Sequence, residues 1–234
     1  MSCFLIEIPL ITVVYVHVPG HGVYLPKTKR FVEGYQQFPA GVSHKMIVVS
    51  QGREPYPDVV EILKGLGPHE VVVHDNSAWD IGAFKKCARE RSSPMMMFLS
   101  GGTYLRGPNW LKRAWDVFQQ YDGYGLFGAC GNTGGRHIDA WPHIRTSSFW
   151  CAPEVLLRYP YQCEDMYQRY PMEHGPSNFT LWCRSMGLPT VVVDFTSHHE
   201  FGHWMDNPNG FHQGYQRDLL LGDRHTEPPD YPYP

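Results

Sequence analysis

The sharpest chemical motif in the sequence is His199-Glu200-Phe201-Gly202-His203, which matches HExxH. On a helix, histidines four residues apart face one zinc ion and the glutamate activates a water molecule, as in zinc metallopeptidases. Two features oppose a helix here: the preceding run TVVVDFTS has strand character, and residues 206–210 are turn-forming. No third ligand stands at metzincin spacing, and the later acid at a gluzincin-like distance is Glu227 in the proline-rich tail. Zinc peptidase chemistry, with a metal on His199 and His203, remains an alternative hypothesis.

Small, polar or histidine residues directly follow the apolar runs of the sequence. In a parallel α/β sheet, ligands bind beyond the carboxyl ends of the strands, so these residues are candidates for contact with a ligand. Their types suit a phosphorylated ligand. They are His17, residues 20–22, Ser50-Gln51-Gly52, Asp75-Asn76-Ser77, Ser100-Gly101-Gly102-Thr103 and residues 196–203.

The elements that must position these residues alternate between strands and helices. Short apolar runs are typical of strands that are buried on both faces of a parallel sheet, and the stretches between them have helical spacing. The alternation indicates an α/β fold with a mostly parallel central sheet flanked by helices. The predicted strands are 10–18, 45–50, 70–74, 95–99, 126–130, 144–151 and 190–195, and the predicted helices are 28–38, 58–66, 81–91, 109–121 and 177–186.

Segment 71–99 carries the first part of a resemblance to a known family. A strand ends in Asp75-Asn76-Ser77, and Asp80-Ile81-Gly82-Ala83 opens the next helix. This order resembles the nucleotide-sugar half of GT-A-fold glycosyltransferases, in particular the small polysaccharide or rhamnosyltransferase-like enzymes of bacteria and large DNA viruses. Helix caps at a βα turn are the alternative explanation of the two aspartates. The resemblance implies one GT-A-like, Rossmann-like domain over 1–226, with a nucleotide-binding half at about 1–105, an acceptor half at 106–226 and a surface tail at 227–234.

The next part of the resemblance, 98–118, departs from the family. There the family carries a DxD pair of acids that hold a divalent metal on the donor diphosphate, whereas this sequence reads Ser100-Gly101-Gly102-Thr103. The resemblance therefore leaves Mn²⁺ or Mg²⁺ open as a cofactor. The alternatives for balancing the charge of the leaving group are backbone N–H groups or the side chains of Arg106, Arg145 and Arg224.

The acceptor half is indicated by Arg145-Thr146 and by Glu173-His174-Gly175 ahead of a helix. In the family, an acid in this place deprotonates the acceptor hydroxyl. We expect Glu173 to be this base, with Asp165 and Glu164 in reserve; a carboxylate that stabilises the helix N-terminus is the alternative for Glu173. The resemblance thus implies a transferase that moves a sugar, with inversion, from a UDP-, dTDP- or GDP-linked donor to a glycan acceptor; an inactive binding module is the other alternative. The expected donor contacts are His17, Ser50, Gln51, Asp75, Asn76, Asp80, Gly101, Gly102 and Arg145, and the expected sugar-stacking rings are Tyr104, Trp141 and Trp204.

The C-terminal residues 213–226 resemble the segment that folds back over the donor in the same family. The alternative is a plain C-terminal helix whose apolar stretch, Leu219 to Leu221, docks on the domain.

Composition restricts the partners and the location. The 234 residues are 42% hydrophobic, which suffices for a core, and a net charge of −3 does not favour nucleic-acid binding. Six cysteines without a CxxC pair are expected to be reduced and mostly buried. The apolar opening 4–18 contains Glu7 and Pro9 and lacks a basic start. We therefore expect a buried strand there rather than a signal peptide, no transmembrane segment and a cytoplasmic protein.

Overall fold

The computed structural model of the chain describes residues 11–20, 22–132, 141–203 and 216–227. Through the first half, strands and helices alternate as the sequence predicts. The strands are β1 (Ile11–His17), β2 (Lys45–Gln51), β3 (Glu70–His74), β4 (Met95–Leu99), β5 (Tyr104–Leu105), β6 (Leu126–Gly128), β7 (Gly131–Asn132), β8 (His143–Ile144), β9 (Ser148–Cys151), β10 (Thr190–Val193), β11 (His198–Glu200) and β12 (Leu221–Gly222). The helices are α1 (Tyr24–Gln37), α2 (Pro57–Leu63), α3 (Trp79–Glu90), α4 (Trp110–Gln120), α5 (Pro153–Arg158), α6 (Met166–His174) and α7 (Phe179–Ser185).

Eight of these strands form one sheet in the order β11-β10-β6-β9-β4-β1-β2-β3. β3, β2, β1 and β4 are parallel neighbours, and β6 is parallel to β10. β9 runs antiparallel between β4 and β6, and β11 runs antiparallel to β10 at the edge. A mostly parallel sheet with helices on both faces confirms the predicted α/β class.

The central strands of the sheet are buried on both faces, and β1 shows why their sequences are mostly apolar. Val13 and Tyr15 face the core formed with α1, α2 and α4, where the ring of Phe31 stacks on Tyr15 with centroids 3.9 Å apart. Val14 and Val16 face the other core, formed with α3, α5 and α7. Because successive side chains of a strand point to opposite faces, every position of β1 meets apolar neighbours. The two cores thereby fix the carboxyl end of β1, where predicted ligand contacts lie.

The second half differs from the predicted elements in three places. The predicted strand 144–151 is split into β8 and β9, which pair with different strands. The pattern does not predict α5, which has only 6 residues, or α6, which contains Pro171. The stretch 219–221 does not form a C-terminal helix, because Leu221 pairs in β12 with Leu105 of β5.

Three expectations from composition concern thiols and apolar segments. The cysteines at 87, 130, 151, 163 and 183 are free and buried, as reduced thiols are expected to be. The strand predicted over 10–18 is confirmed at Ile11–His17, whereas residues 4–10 lie outside the described residues. Within the described ranges, no helix combines the length and the apolar character needed to cross a bilayer.

Candidate functional site

The order of the first four strands marks the carboxyl ends of β1 and β4 as the expected place of a ligand crevice, called the β1–β4 crevice below. From β1 the chain moves outward to β2 and β3, and then returns to the other side of β1 as β4. In open α/β sheets, ligands bind where the strand order reverses in this way. His17 ends β1, and Gly101 and Gly102 follow β4, so the fold brings these predicted donor contacts to one crevice. A Cβ on Gly101 would lie 2.9 Å from the carbonyl oxygen of Val16, so glycine permits this close packing.

Buried polar side chains with open hydrogen-bonding atoms lie at the ends of β1 and β2. The Nδ1 atom of His17 is 2.8 Å from Thr28 Oγ1, and Gln51 Oε1 is 3.0 Å from His74 Nδ1. Among the described residues, His17 Nε2 and Gln51 Nε2 are buried without a hydrogen-bond partner. Native proteins rarely leave buried polar atoms unpaired, so both atoms indicate a polar ligand. Burial lowers the pKa of His17 to about 4, so its ring is neutral at neutral pH.

The other residues of the predicted nucleoside end also serve local structure. Ser50 Oγ donates to the carbonyl oxygen of Arg53 at 2.6 Å. The exposed carboxylate of Asp75 accepts from the backbone N–H of Ser77 at 2.9 Å, as in an Asx turn. A cleft of about 500 Å³ opens beside Asp75 and Ser77. Asp75 therefore closes a turn ahead of α3 and lines a cleft. It is not a helix cap, because the N-cap position of α3 is Ala78 and no side chain caps this helix.

The turn that leads into α3 holds its backbone in an unusual conformation. Asn76, Ala78 and Trp79 have positive φ angles of 68°, 49° and 53°. For residues with a Cβ this conformation costs roughly 1 kcal/mol or more each, and such strain concentrates at functional sites. The strained turn places Asp80 in the first turn of α3, within reach of Arg169 on α6.

Asp80 and Glu173, predicted for opposite halves of the site, lie in one group of side chains. Arg169 joins them: its Nη2 donates to Glu173 at 2.9 Å, and its Nε lies 3.7 Å from Asp80. Thr146 Oγ1 donates to Glu173 at 2.8 Å, and His174 Nε2 lies 3.4 Å from the same carboxylate. The side chains of Asp80 and Glu173 are only 19% and 18% exposed. Asp80, Arg169 and Glu173 are called the carboxylate cluster below.

The two carboxylates of the cluster differ in basicity. Burial raises the pKa of Asp80 to about 6; the charge of Glu173 adds to this effect and that of Arg169 opposes it. Burial also acts on Glu173, but the hydrogen bond with His174 and the charge of Arg169 hold its pKa well below the usual range. Two acids whose surroundings separate their pKa values form the arrangement that acid–base catalysis uses. Near neutral pH, Asp80 is the better proton acceptor.

Gly82 fixes the start of α3 and with it the position of Asp80. A Cβ at this position would overlap the backbone oxygen of Ser77, which cannot swing away as a flexible side chain can. We expect Gly82→Ala to destabilise the fold by about 1–3 kcal/mol, as overpacking does. Urea denaturation measures the loss. Gly102→Ala is the matched control, because a Cβ there meets nothing within 4 Å; equal losses in both variants would contradict the prediction.

Arg145, predicted to contact the donor, forms a buried ion pair within the protein. Its guanidinium lies 2.5 Å from the carboxylate of Asp223, and the two side chains are 11% and 8% exposed. Asp223 also accepts from the backbone N–H of His225 at 2.8 Å. The pair therefore fixes the turn that carries Arg224.

Arg145 begins a connector segment, residues 145–147, that joins the carboxylate cluster to the crevice. The second residue, Thr146, donates to the cluster as described above. The carbonyl oxygen of the third, Ser147, accepts from the backbone N–H of Ser100 at 2.9 Å and from the hydroxyl of Thr103 at 2.8 Å. The loop after β4 and the carboxylate cluster are thus held by neighbouring residues of one segment.

Three exposed aromatic residues lie beside the carboxylate cluster. The Trp79 ring lies against the guanidinium of Arg169 at 4.7 Å, and the Tyr170 ring lies 5.1 Å from the ring of His174. The backbone N–H of Trp141 donates to the carbonyl oxygen of His174 at 3.1 Å. Trp79, Trp141 and Tyr170, which are all exposed, are called the aromatic rim. Only Trp141 was among the rings expected to stack on sugars.

Three other predicted residues stand apart from this arrangement. Asp165 is exposed and caps α6, where its carboxylate accepts from the backbone N–H of Gln168 at 2.8 Å. Tyr104 is buried, and the guanidinium of Arg30 covers its ring at 3.4 Å, so the ring is not open for stacking on a sugar. Trp204 lies outside the described residues.

Glu173 is the penultimate residue of α6, and Asn178 caps the following helix α7. The alternative role of Glu173, stabilising a helix N-terminus, is therefore wrong. The helix that the sequence predicts begins only after the loop that follows Glu173.

The HExxH residues do not adopt the helical geometry of a zinc peptidase. His199 and Glu200 are consecutive residues of the edge strand β11, and His203 follows in a turn. After β10 the chain turns back and pairs with it as the antiparallel strand β11. The two histidines therefore do not lie on one face of a helix. Across the described ranges, no three His, Cys, Asp or Glu side chains are grouped to hold a metal ion. The zinc peptidase hypothesis is wrong.

The loop after β4 does not fit the divalent metal of the GT-A family either. It offers the hydroxyls of Ser100 and Thr103, which lie 3.4 Å apart, where a carboxylate pair would be needed. Glu227 lines a pocket beside Gly102, but its carboxylate is paired with Arg30. The described residues of this loop therefore provide no acid pair for a metal on a donor diphosphate.

Comparisons with known proteins bear on the fold. No family model and no curated protein matches the chain. Among solved structures, the apo form of mouse xyloside xylosyltransferase 1 is similar over 89% of this chain and 88% of its own, with 12% identity and a TM-score of 0.50.

Two bacterial structures are similar at lower TM-scores. A putative glucose-1-phosphate thymidylyltransferase from Bacillus anthracis, in complex with sucrose, covers 81% of this chain and 88% of its own, with 13% identity and a TM-score of 0.48. A cytidylyltransferase from Leptospira borgpetersenii covers 69% and 68%, with 16% identity and a TM-score of 0.47. At 12% identity, the likeness to the xylosyltransferase is evidence of fold alone. Together with the strand order, it confirms the predicted GT-A-like, Rossmann-like α/β fold.

Proposed function

We propose that this chain is a glycosyltransferase that moves a sugar from a nucleotide-diphosphate donor to a saccharide or glycan acceptor with inversion. The observation that carries the proposal is the carboxylate cluster, which the connector segment joins to the loop beside the β1–β4 crevice. A buried acid of raised pKa beside a ligand crevice is what activation of an acceptor hydroxyl requires. The fold shared with a xylosyltransferase supports the same class of reaction.

At the donor end, the unpaired buried atoms of His17 and Gln51 are the proposed contacts for the nucleoside. The open end of the Gln51 amide donates or accepts according to the orientation of the amide, and the free nitrogen of a neutral His17 does so according to its tautomer. A Cβ on Gly102 would meet nothing, so the backbone there leaves space for a diphosphate. The adjoining strand ends supply the remaining expected contacts, Ser50, Asp75, Asn76 and Gly101.

At the acceptor end, we assign proton transfer to Asp80. As the acceptor oxygen attacks the anomeric carbon, its proton passes to the Asp80 carboxylate and the new C–O bond forms. The bond from the anomeric carbon to the phosphate oxygen breaks, and the nucleoside diphosphate leaves with the electron pair. A single displacement of this kind inverts the configuration. The assignment revises the expectation that Glu173 is the base, because the low pKa of Glu173 makes it a weak one.

In this proposal Glu173 stays ionised and holds Arg169 beside Asp80. The aromatic rim supplies rings on which the apolar faces of an acceptor sugar stack, next to the proton acceptor. Trp79 directly precedes Asp80 in the chain, so the same strained turn positions a ring for acceptor binding and a carboxylate for proton transfer.

The test is a panel of UDP-, GDP- and dTDP-sugars, assayed by thermal shift with the full chain and then by release of nucleoside diphosphate with glycan acceptors. We expect at least one donor to raise the melting temperature and to be turned over with an acceptor. Binding without turnover for any acceptor would leave an inactive binding module. Release of pyrophosphate from a nucleoside triphosphate and a sugar 1-phosphate would instead show a nucleotidyltransferase and contradict the proposal.

A further inference from the structure

The cleft of about 500 Å³ beside Asp75 extends between α3 and the segment 162–164 that precedes α6. One side of α3 lines it with residues spaced at i, i+3, i+4 and i+7, which lie along the same face of a helix. These residues are Gly82, Lys85, Lys86 and Arg89. Ligand pockets commonly measure roughly 300–1,000 Å³, so the cleft is large enough for a sugar. We call it the basic cleft.

Lys85 places a buried positive charge in the lining of the basic cleft. The residue is only 2% exposed, and its Nζ atom donates to the carbonyl oxygens of Tyr159, at 3.4 Å, and of Tyr161. Within the described ranges, no carboxylate forms an ion pair with this ammonium group. Buried charges in proteins are paired with opposite charges, and an ammonium group has three protons to donate. The unbalanced charge and the remaining proton of Lys85 therefore indicate an anionic ligand.

Lys86 and Arg89 add two cations on the same side of α3. Lys86 Nζ donates to the carbonyl oxygen of Val73 at 3.4 Å, and Arg89 Nη2 donates to the amide oxygen of Gln162 at 3.1 Å. In the part of the chain that the structure describes, neither cation has a carboxylate partner. Like charges four residues apart on a helix, as in Lys85 and Arg89, repel each other. An oxyanion bound between these side chains would relieve the repulsion and balance their charge.

The acids that line the basic cleft are exposed, unlike Lys85. They are Asp75 and Glu164, and the carboxylate of Asp75 also accepts from the hydroxyl of Ser77 at 2.6 Å. Exposed carboxylates accept hydrogen bonds from the hydroxyls of a sugar, whereas a buried ammonium group binds an oxyanion. The lining is therefore complementary to a sugar that carries an acidic group.

The basic cleft is built by the same two elements as the carboxylate cluster. α3 carries both Asp80 and the basic face, and residues 162–164 lead into α6, which carries Arg169. We propose that the basic cleft binds the oxyanion, a carboxylate or a phosphate group, of an acidic glycan acceptor. The inference rests on the proposed function, since it names the class of acceptor for the same site.

NMR titration of the isotope-labelled full chain with three sugars, without any nucleotide, tests the proposal. The probes are methyl glucuronide, glucose 6-phosphate and the neutral methyl glucoside. We expect at least one acidic sugar to bind about tenfold or more tightly than the glucoside, and the comparison of the two acidic sugars identifies the preferred oxyanion. Its binding should shift the side-chain N–H signal of Arg89.

Lys86→Gln and Arg89→Gln should each weaken binding of that acidic sugar about tenfold or more, because each removes a charged hydrogen bond, and leave binding of the glucoside unchanged. Lys64→Gln is the matched control, since Lys64 is 63% exposed, pairs with Glu61 and lies outside the lining of the cleft. We expect it to change the affinity less than about twofold.

Equal affinity for acidic and neutral sugars, or equal effects in all three variants, would overturn the basic cleft as an oxyanion site and leave the glycosyltransferase proposal intact. A lower melting temperature with unchanged affinity in Lys86→Gln and Arg89→Gln would also overturn it, because the cations would then serve only to hold the neighbouring backbone. In the transfer assay, the preference for an acidic acceptor should appear in KM and disappear in the same two variants. Tight binding of an acidic sugar without turnover of any acceptor would instead remove the proposed function and retain the basic cleft.

Discussion

Asp80→Asn is expected to lower the rate of sugar transfer about 100-fold or more, while the affinity for the donor stays unchanged. The amide keeps the shape of the side chain and its hydrogen bond to Ile81 N–H, but it cannot take a proton at neutral pH. In the native chain the rate should rise with pH through about 6, where Asp80 ionises. Steady-state kinetics across that range should show this rise, and the residual activity of the variant should lack it.

The same substitution should increase stability at neutral pH. Asp80 has a pKa raised from 3.8 to about 6 in the folded chain, so its protonated form favours folding. That contribution is complete below pH about 4 and is lost as the pH rises through about 6. Asp80→Asn removes this loss, so we expect its free energy of unfolding to exceed that of the native chain by about 1–3 kcal/mol at pH 7 and to differ little at pH 4. Urea denaturation at both pH values measures the difference.

Glu173→Gln is the matched comparison for Asp80→Asn. Removing the negative charge of Glu173 should lower the pKa of Asp80, so the rise of the rate should move to lower pH while turnover is partly retained. If Glu173→Gln abolishes turnover and Asp80→Asn does not, the base is Glu173, as the sequence first suggested. A pH profile that does not move in Glu173→Gln would show that the two carboxylates act independently.

Arg145→Met should destabilise the fold by about 3–5 kcal/mol, the largest stability change we predict. The substitution leaves the carboxylate of Asp223 buried without its cation, and water has little access because that side chain is only 8% exposed. Chemical denaturation measures the change.

Lys112→Met is the control for charge loss, because the Lys112–Asp116 pair is 52% and 42% exposed and spans one turn of α4. It should change stability by less than about 1 kcal/mol. Adding Asp223→Leu to Arg145→Met should recover part of the loss, since paired removal of a buried ion pair is often tolerated. A loss in Arg145→Met no larger than that in Lys112→Met would show that the buried pair is not needed for folding.

The first half of the fold was predictable because its signals are local. Each of β1 to β4 is a short apolar run between turn-forming residues. Burial on both faces explains the run in β1, β2 and β4, whereas the edge strand β3 is only partly buried. Boundaries moved by only a few residues: α1, for example, begins at Tyr24 rather than at 28. The second half depends on pairings between distant residues. β5 and β12 each have two residues and exist because Leu105 meets Leu221, which no local pattern indicates.

The sequence predicted roles for two members of the carboxylate cluster but neither their grouping nor Arg169. Asp80 and Glu173 were both expected to function, one with the nucleoside and the other with the acceptor. They meet because α3 and α6 come together, and Arg169 joins them. The available signal for Arg169 was its spacing of four residues from Glu173, which places both on one helix face. The sequence did not predict α6, which contains Pro171. Without a predicted helix, the spacing of four residues did not indicate that the two side chains are neighbours.

The connector segment constrains how such a protein can diverge. Its three successive residues hold the C-terminal turn, the carboxylate cluster and the loop after β4. Exchanging the side chain of Arg145 or Thr146 therefore disturbs the segment on which the other contacts depend. The aromatic rim has no such structural role, because its exposed residues lie beside the cluster and do not hold its side chains in place. New acceptor preferences can therefore evolve at the rim while the chemistry beneath it is inherited unchanged.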